Sequence, residues 1–269
     1  LVCLAILANI LDSVELKTLG KKITKDIASN ICDIYSRDPK KEYDRVVINC
    51  IGIFSDAIMS AHEDCQYIKY INKIHSICCC VLDRNKNDAV VEVGLQRLLK
   101  IVKNSDNCSI RGYSIRKIED ICYYAIAKKD DAIVDKCLQQ LSEIVKNGGD
   151  YSIREYSIEK IWDIYKYAIV KKDDAIVDKC LQQLSEIVKD SGDRLIREYS
   201  IKKICTICDY AIAKKDDAIV DKCLQQFSEI VKDSGDHLIR VYSIRKIEDI
   251  CYYAIAKKDD AIVDKCLQQ

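Results

Sequence analysis

The chain carries the 28-residue stretch YSIRKIEDICYYAIAKKDDAIVDKCLQQ twice, at residues 113–140 and again at 242–269. The two copies lie 129 positions apart, which is three periods of 43 residues, and diverged copies fill the periods between them. A fixed period in this range is typical of stacked helical arrays, in which each unit contacts only its neighbours. The repeat therefore indicates the architecture before any single side chain is considered.

The same period extends in weakened form towards the N-terminus. Positions equivalent to Cys137 fall at Cys3, Cys50, Gly94, Cys180, Cys223 and Cys266, in steps of 47, 44 and then 43 residues. We therefore predict one array over 1–269, cut from a longer one. The predicted divisions are the end of a preceding second helix at 1–11, repeats at 12–60, 61–104, 105–147, 148–190 and 191–233, and a truncated last repeat at 234–269.

Each repeat has the apolar spacing of two amphipathic helices. Helical geometry gathers the apolar residues of the second helix into one arc of ~140°: Ile133, Val134, Cys137, Leu138, Leu141, Ile144 and Val145. The first helix has a matching set: Ile115, Ile118, Ile121, Cys122, Ala125 and Ile126. The prediction is an all-α fold, a right-handed α-solenoid of stacked two-helix repeats with a period of about 43 residues.

The joints between helices have capping residues in the expected places. KKDD recurs at 128–131, 171–174, 214–217 and 257–260, so that lysines close the first helix and aspartates open the second. Glycines at 148–149, 192 and 235 are expected to end the second helices, and Asp150, Asp193 and Asp236 to cap the next first helices.

Composition argues against several classes of function. The 43 basic residues balance 43 acidic ones, so no net charge favours nucleic acid or an anionic membrane. The 16 cysteines recur largely on apolar helix faces, which favours buried, reduced thiols in a cytoplasmic protein over a disulfide framework. Cys205 and Cys208 form a CxxC within a helix but lack a second pair of ligands. We predict no catalytic residues, no metal site and no cofactor.

A two-helix unit of this length resembles the HEAT and armadillo class of α-solenoid. The stretch DDAIVDKCLQQLSEI at 130–144 is similar to the HEAT second helix, although Asp135 stands where that family has arginine and the first-helix proline is absent. The resemblance implies a curved array, with second helices on the concave side, that binds a protein or peptide.

The candidate partner-binding residues form a repeated polar face on the second helices. Glutamine can donate to and accept from an extended peptide backbone, but Gln, Lys and Glu also favour any solvated helix face, and both interpretations remain open. The candidates are Gln139, Gln140 and Glu143, Gln182, Gln183 and Glu186, and Gln225, Gln226 and Glu229.

A second candidate surface is a row of tyrosines on the first helices. Tyrosine can bury its ring between repeats while its hydroxyl stays exposed to solvent. Alternatively, it can anchor a binding partner. The tyrosines occur in pairs eleven residues apart: Tyr113 and Tyr124, Tyr156 and Tyr167, Tyr199 and Tyr210, and Tyr242 and Tyr253. A row of arginines, Arg111, Arg154, Arg197 and Arg240, could clamp an acidic partner or pair locally with neighbouring carboxylates.

The leading functional hypothesis is a non-catalytic scaffold that binds a protein or extended peptide. The alternative is a sensor or regulatory segment of a larger signalling or defence protein. A nucleic-acid-binding repeat is disfavoured because carboxylates interrupt the basic rows. End-to-end self-association through apolar end faces is a further expectation.

Overall fold

The computed structural model describes residues 28–33, 35, 44–60, 64–84 and 88–267, and within these ranges the chain is helical with no strand. The predicted all-α helical-repeat fold is confirmed. The helices are α1 (Asp44–Ser60), α2 (Asp64–Arg84), α3 (Asp88–Asn104), α4 (Cys108–Lys128), α5 (Asp131–Asn147), α6 (Tyr151–Lys171), α7 (Asp174–Asp190), α8 (Arg194–Lys214), α9 (Asp217–Asp233), α10 (His237–Lys257) and α11 (Asp260–Leu267).

The helices alternate between a longer and a shorter kind. The first helices α4, α6, α8 and α10 have 21 residues, and the second helices α5, α7 and α9 have 17. Each predicted interval from 61–104 to 191–233 contains one such pair. The segment predicted at 1–11 and the start of the 12–60 interval lie outside the described residues.

The chain divides into two compact units, Leu1–Ile144 and Val145–Gln269. In the second unit the first helix α6 packs on α8 and α8 packs on α10, while the second helix α7 packs on α9. Each second helix also packs on its own first helix and on the next one. Within the first unit α2 packs on α4, α1 on α3, and α3 on both α2 and α4. Each unit is therefore a stack in which every layer contacts its neighbours in sequence.

The apolar faces predicted from the spacing are buried. Ile133, Val134, Cys137, Leu141 and Ile144 of α5 have no exposed surface, and the matching residues of α4 and α7 are equally enclosed. Burying an aliphatic side chain of this size contributes roughly 1.5–3 kcal/mol. The repeat of these faces is what holds successive layers together.

The KKDD joints are left-handed helix caps. Lys129 has φ 58°, its N–H donates to the Ile126 carbonyl at 3.1 Å, and the Asp130 N–H donates to the Ala125 carbonyl at 3.0 Å. These two bonds are those of a Schellman motif. The Asp130 carboxylate then accepts from the N–H of Ile133 at 3.2 Å and so caps the next helix. One tetrapeptide thus ends one helix and starts the other.

The expectation that glycines end the second helices is wrong for α7 and α9. Both end at a serine in extended conformation, Ser191 or Ser234, whose N–H still donates to a helix carbonyl. Gly149 alone among the described glycines has a positive φ, at 76°. Of the predicted N-caps, Asp193 and Asp236 accept from helix N–H groups. Asp150 occupies the N-cap position without a side-chain cap bond.

Candidate functional site

Each group of predicted partner-binding residues lies on the polar side of its own second helix, opposite the buried face. We call this polar side the second-helix surface; in α5, α7 and α9 it comprises two glutamines and a glutamate per helix. The first glutamine of each pair is exposed, and the second glutamine and the glutamate are half-buried. The exposed members are Gln139, Gln182 and Gln225.

The charged residues beside these glutamines pair between successive repeats. Along one row Lys136 lies 2.8 Å from Glu92, Lys222 2.6 Å from Asp178, and Lys265 2.6 Å from Asp221. Each pair links a second helix to the one before it. The row therefore presents neutralised pairs rather than isolated charges.

A second row of pairs runs along the other side of the glutamines. Lys189 lies 3.1 Å from Glu229 and 3.2 Å from Asp233, and Lys103 pairs with Glu143 in the first unit. Partial burial alone would lower the pKa of Lys189, but its hydrogen bonds to the two carboxylates hold that pKa above its ordinary value. Two of the predicted partner-binding glutamates, Glu143 and Glu229, are thus already paired with a lysine of an adjacent repeat.

The glutamine amides also have local partners. The Gln182 and Gln183 side-chain amides donate to Glu186 at 3.0 and 3.3 Å, and the Gln225 amide donates to Glu229 at 3.2 Å. With these nitrogens engaged, the exposed Gln182 and Gln225 side chains each have an amide oxygen that can accept a further bond.

Depressions separate successive second helices in the second unit. One of about 380 Å³ is lined by residues of α7 and α9, with Leu181 among them and the glutamines Gln182, Gln225 and Gln226 around it. Another of about 370 Å³ is lined by Leu224, Gln225, Ser228 and charged residues of α9 and α11. Each depression is lined by one leucine together with glutamine amides and paired charged side chains. Both therefore suit an uncharged side chain.

The predicted tyrosine row lies against neighbouring side chains. Six of its members are half-buried, while Tyr210 and Tyr242 are exposed. In seven of the eight a lysine four residues later lies 4.7–5.7 Å from the ring centre. Hydroxyls reach the preceding repeat: Tyr113 donates to Asn72 at 2.7 Å, and Tyr199 to Glu159. These contacts favour packing between repeats over partner binding.

The arginine row joins helix ends. Arg154 is buried and donates to the Val145 carbonyl, to Ser191 at 3.1 Å and to Asp193 at 2.8 Å. Arg197 likewise reaches Asp236, at 3.0 Å. Since Asp193 and Asp236 are N-caps, each arginine ties its own repeat to the start of the next. The sequence signal for this link is a basic residue 39 positions before a capping aspartate.

Cys137 and Cys79, which lie beside another thiol and a histidine respectively, both have raised pKa values. Cys137 is enclosed against Cys122, and burial followed by the hydrogen bond between the two thiols raises the pKa of Cys137. Cys79 lies 3.4 Å from His75, but burial raises the pKa of Cys79 to about 12. A protonated thiol is a poor nucleophile and metal ligand. Within the described ranges no group of His, Cys, Asp and Glu side chains could hold a metal ion.

The two CxxC cysteines differ in exposure: Cys208 is buried and Cys205 is half-buried.

Trp162 stands where other copies have a glutamate or cysteine. Its ring stacks on that of Tyr165, with 5.1 Å between the ring centroids. No helix in the described part of the chain is long and apolar enough to cross a membrane.

No protein-family model matches the chain, and no curated protein matches it. Among solved structures it is similar to a "Circular tandem repeat protein with novel repeat topology and enhanced subunit contact surfaces", at 13% identity and a TM-score of 0.49, over 98% of this chain and 75% of that one. A second, from "Computational Design of Self-Assembling Cyclic Protein Homooligomers", has 11% identity and a TM-score of 0.20, over 98% and 94%. Neither similarity assigns a family or an activity.

Proposed function

We propose that the chain is a non-catalytic scaffold that binds an extended, uncharged peptide segment of a partner protein on its second-helix surface. The observation that carries the proposal is the pair of exposed glutamines Gln182 and Gln225 in the second unit; Gln139 has the equivalent exposed position in the first unit. Gln182 and Gln225 border depressions of about 370 and 380 Å³ between successive second helices. The likeness to HEAT and armadillo arrays and a cytoplasmic location, suggested by the reduced thiols, belong to the same proposal.

The spacing of the surface supports an extended ligand. Packed helices lie about 8–10 Å apart, and three residues of a polyproline II segment span about 9 Å. A side chain at every third position of such a peptide would therefore meet successive depressions. Its backbone N–H groups could donate to the glutamine oxygens on the way.

The paired charges determine what kind of partner is favoured. Lys222 with Asp178 and Lys189 with Glu229 are neutralised within the protein. A charged ligand would have to displace one member of a pair, whereas a neutral ligand leaves both pairs intact. The same neutrality disfavours nucleic acid, whose binding needs basic groups free to release counterions.

The proposal is tested by panning a display library of random twelve-residue peptides against the immobilised chain. We expect recovered peptides to be neutral and extended, and Gln182→Lys combined with Gln225→Lys to weaken their binding at least about tenfold. Lys202→Gln, at an exposed position on first helix α8, is the matched control and should leave affinity unchanged.

Salt provides a second measurement. Because the surface charges are paired, the affinity of a recovered peptide should change by less than about threefold when salt is raised. The proposal would be contradicted if no peptide were recovered, or if the variant with Gln182→Lys and Gln225→Lys bound the peptides with unchanged affinity.

A further inference from the structure

Two asparagines occupy the same place in successive repeats but differ in the residue that follows them. Asn104 is the last residue of α3 and Asn147 is the last residue of α5, and both side chains are exposed. Asn104 is followed by Ser105, whereas Asn147 is followed by Gly148. No other asparagine in the sequence precedes a glycine. The two positions therefore present the same side chain next to two different backbones.

The backbone after Asn147 leaves the helix through two glycines. Gly148 lies just beyond the end of α5, and Gly149 has φ 76°. Because glycine lacks a Cβ, its nitrogen is less hindered and its backbone is freer to rotate than that of any other residue. Ser105 at the equivalent joint has a side chain, and its N–H donates to the Ile101 carbonyl at 3.0 Å. The nitrogen that follows Asn147 is thus the less hindered of the two.

We propose that Asn147 is a site of spontaneous deamidation, in which the backbone nitrogen of Gly148 attacks the side-chain carbonyl carbon of Asn147. The new N–Cγ bond closes a cyclic succinimide, the Cγ–Nδ2 bond breaks, and the side-chain nitrogen leaves as ammonia with the proton of the Gly148 N–H. Water then opens the ring at either carbonyl, giving aspartate or isoaspartate. Water is the co-reactant, and asparagine is among the chemically labile residues.

The structure also determines when the reaction can occur. Gly148 is buried in the closed fold, so the attack requires the last turn of α5 to open. Local opening at the end of a helix costs little free energy compared with global unfolding. We therefore expect deamidation in the folded chain to be slow but measurable, and faster in the same chain unfolded by urea.

The aspartate product has a carboxylate where the following repeats already have one. The residues equivalent to Asn147 are Asp190 at the end of α7 and Asp233 at the end of α9. Asp190 lies 2.9 Å from Lys146, and Asp233 lies 3.2 Å from Lys189. Aspartate at position 147 therefore gives α5 the same ending as these two helices. Isoaspartate instead adds a carbon to the backbone at the joint that leads to α6.

Tryptic peptides from the full chain, taken at intervals during incubation at neutral pH, test the proposal. Cleavage after Lys103 and Lys146 releases residues 104–111 and 147–154, two peptides of equal length that each begin with one of the two asparagines. We expect the 147–154 peptide to gain the mass difference between a hydroxyl and an amino group, and to separate into aspartate and isoaspartate forms. The 104–111 peptide should keep its mass over the same times.

A matched variant tests the role of the glycine. Gly148→Ser introduces the residue that the following repeats have at Ser191 and Ser234. Since Gly148 does not have a positive φ, helicity by circular dichroism should be unchanged. The variant should deamidate at least about tenfold more slowly, because serine restricts the backbone that glycine leaves free.

Three results would each overturn the proposal: an unchanged mass of the 147–154 peptide, equal rates at Asn104 and Asn147, or a Gly148→Ser variant that reacts as fast as the parent. Peptide binding at the second-helix surface does not depend on the outcome, since Asn147 lies outside the glutamine and glutamate groups that define that surface.

Discussion

Tyr165 shows how a single departure from the repeat changes the local chemistry. It stands where other copies have Cys122 and Cys208, and its ring is enclosed and stacked on Trp162 with 11° between the planes. Its hydroxyl is buried and has no hydrogen-bond partner, and that burial raises the pKa of Tyr165. The tyrosine ring fills space that a smaller cysteine side chain would leave empty, but its hydroxyl oxygen has no hydrogen-bond partner.

We expect Tyr165→Phe to increase the free energy of unfolding by about 1 kcal/mol, because it keeps the ring and removes a buried polar atom without a partner. Urea denaturation followed by circular dichroism measures the change. Tyr199→Phe is the control, since the Tyr199 hydroxyl donates to Glu159 and its loss should lower stability. A destabilised Tyr165→Phe variant would mean that the hydroxyl is satisfied, for instance by water.

At the scale of the helix, the most unusual joint is the left-handed lysine that ends each first helix. Lys129, Lys172, Lys215 and Lys258 have φ between 56° and 60°. An L-residue with a Cβ pays a steric cost of roughly 1–2 kcal/mol in this region. The sequence predicted that KKDD forms the joint, but it could not show which residue carries the strain, since lysine also suits the end of an ordinary helix.

Replacing Lys172 by glycine should relieve that strain and raise the free energy of unfolding by roughly 0.5–1 kcal/mol, less than the full steric cost because glycine is more flexible when unfolded. Lys171→Gly, one position earlier and inside α6, should instead destabilise by a similar amount. The two variants have the same composition, so their urea midpoints can be compared directly. Equal midpoints would show that the left-handed conformation is not costly here.

Contacts within one helix were predictable from the sequence, and contacts between repeats largely were not. The exposed side of Gln182 follows from helical spacing alone. Its relation to paired charges does not, because Lys222 and Asp178 lie 44 positions apart and meet only when one repeat is stacked on the next. Opposite charges about one period apart are the signal that could have been sought. The peptide-binding assignment remains a proposal, since spacing alone does not identify a ligand.

At the scale of the whole molecule, 43 basic residues balance 43 acidic ones, and in the described part of the chain many of these charges pair between successive layers, such as Lys203 with Glu159 and Lys222 with Asp178. Glu159 receives bonds from Lys203, at 2.6 Å, and from the Tyr199 hydroxyl. Burial alone would raise the pKa of Glu159, but these donors hold it below its ordinary value. Asp163, paired with Lys160 and Lys166, has its pKa lowered in the same way against the effect of burial.

These lowered pKa values predict how stability depends on pH. A carboxylate whose pKa is lower in the folded state stabilises the protein above its unfolded pKa, about 4, and loses that contribution as the pH falls through the folded value. We therefore expect the urea midpoint to be level near neutral pH and to fall from about pH 4 downwards. Glu159→Gln should lower the urea midpoint at neutral pH. It should also reduce the decrease of that midpoint at acid pH, because the variant lacks the carboxylate that titrates. Glu248→Gln, at an exposed position on α10, should leave the slope unchanged. An unchanged slope in the Glu159 variant would contradict a role for pairs between layers in acid sensitivity.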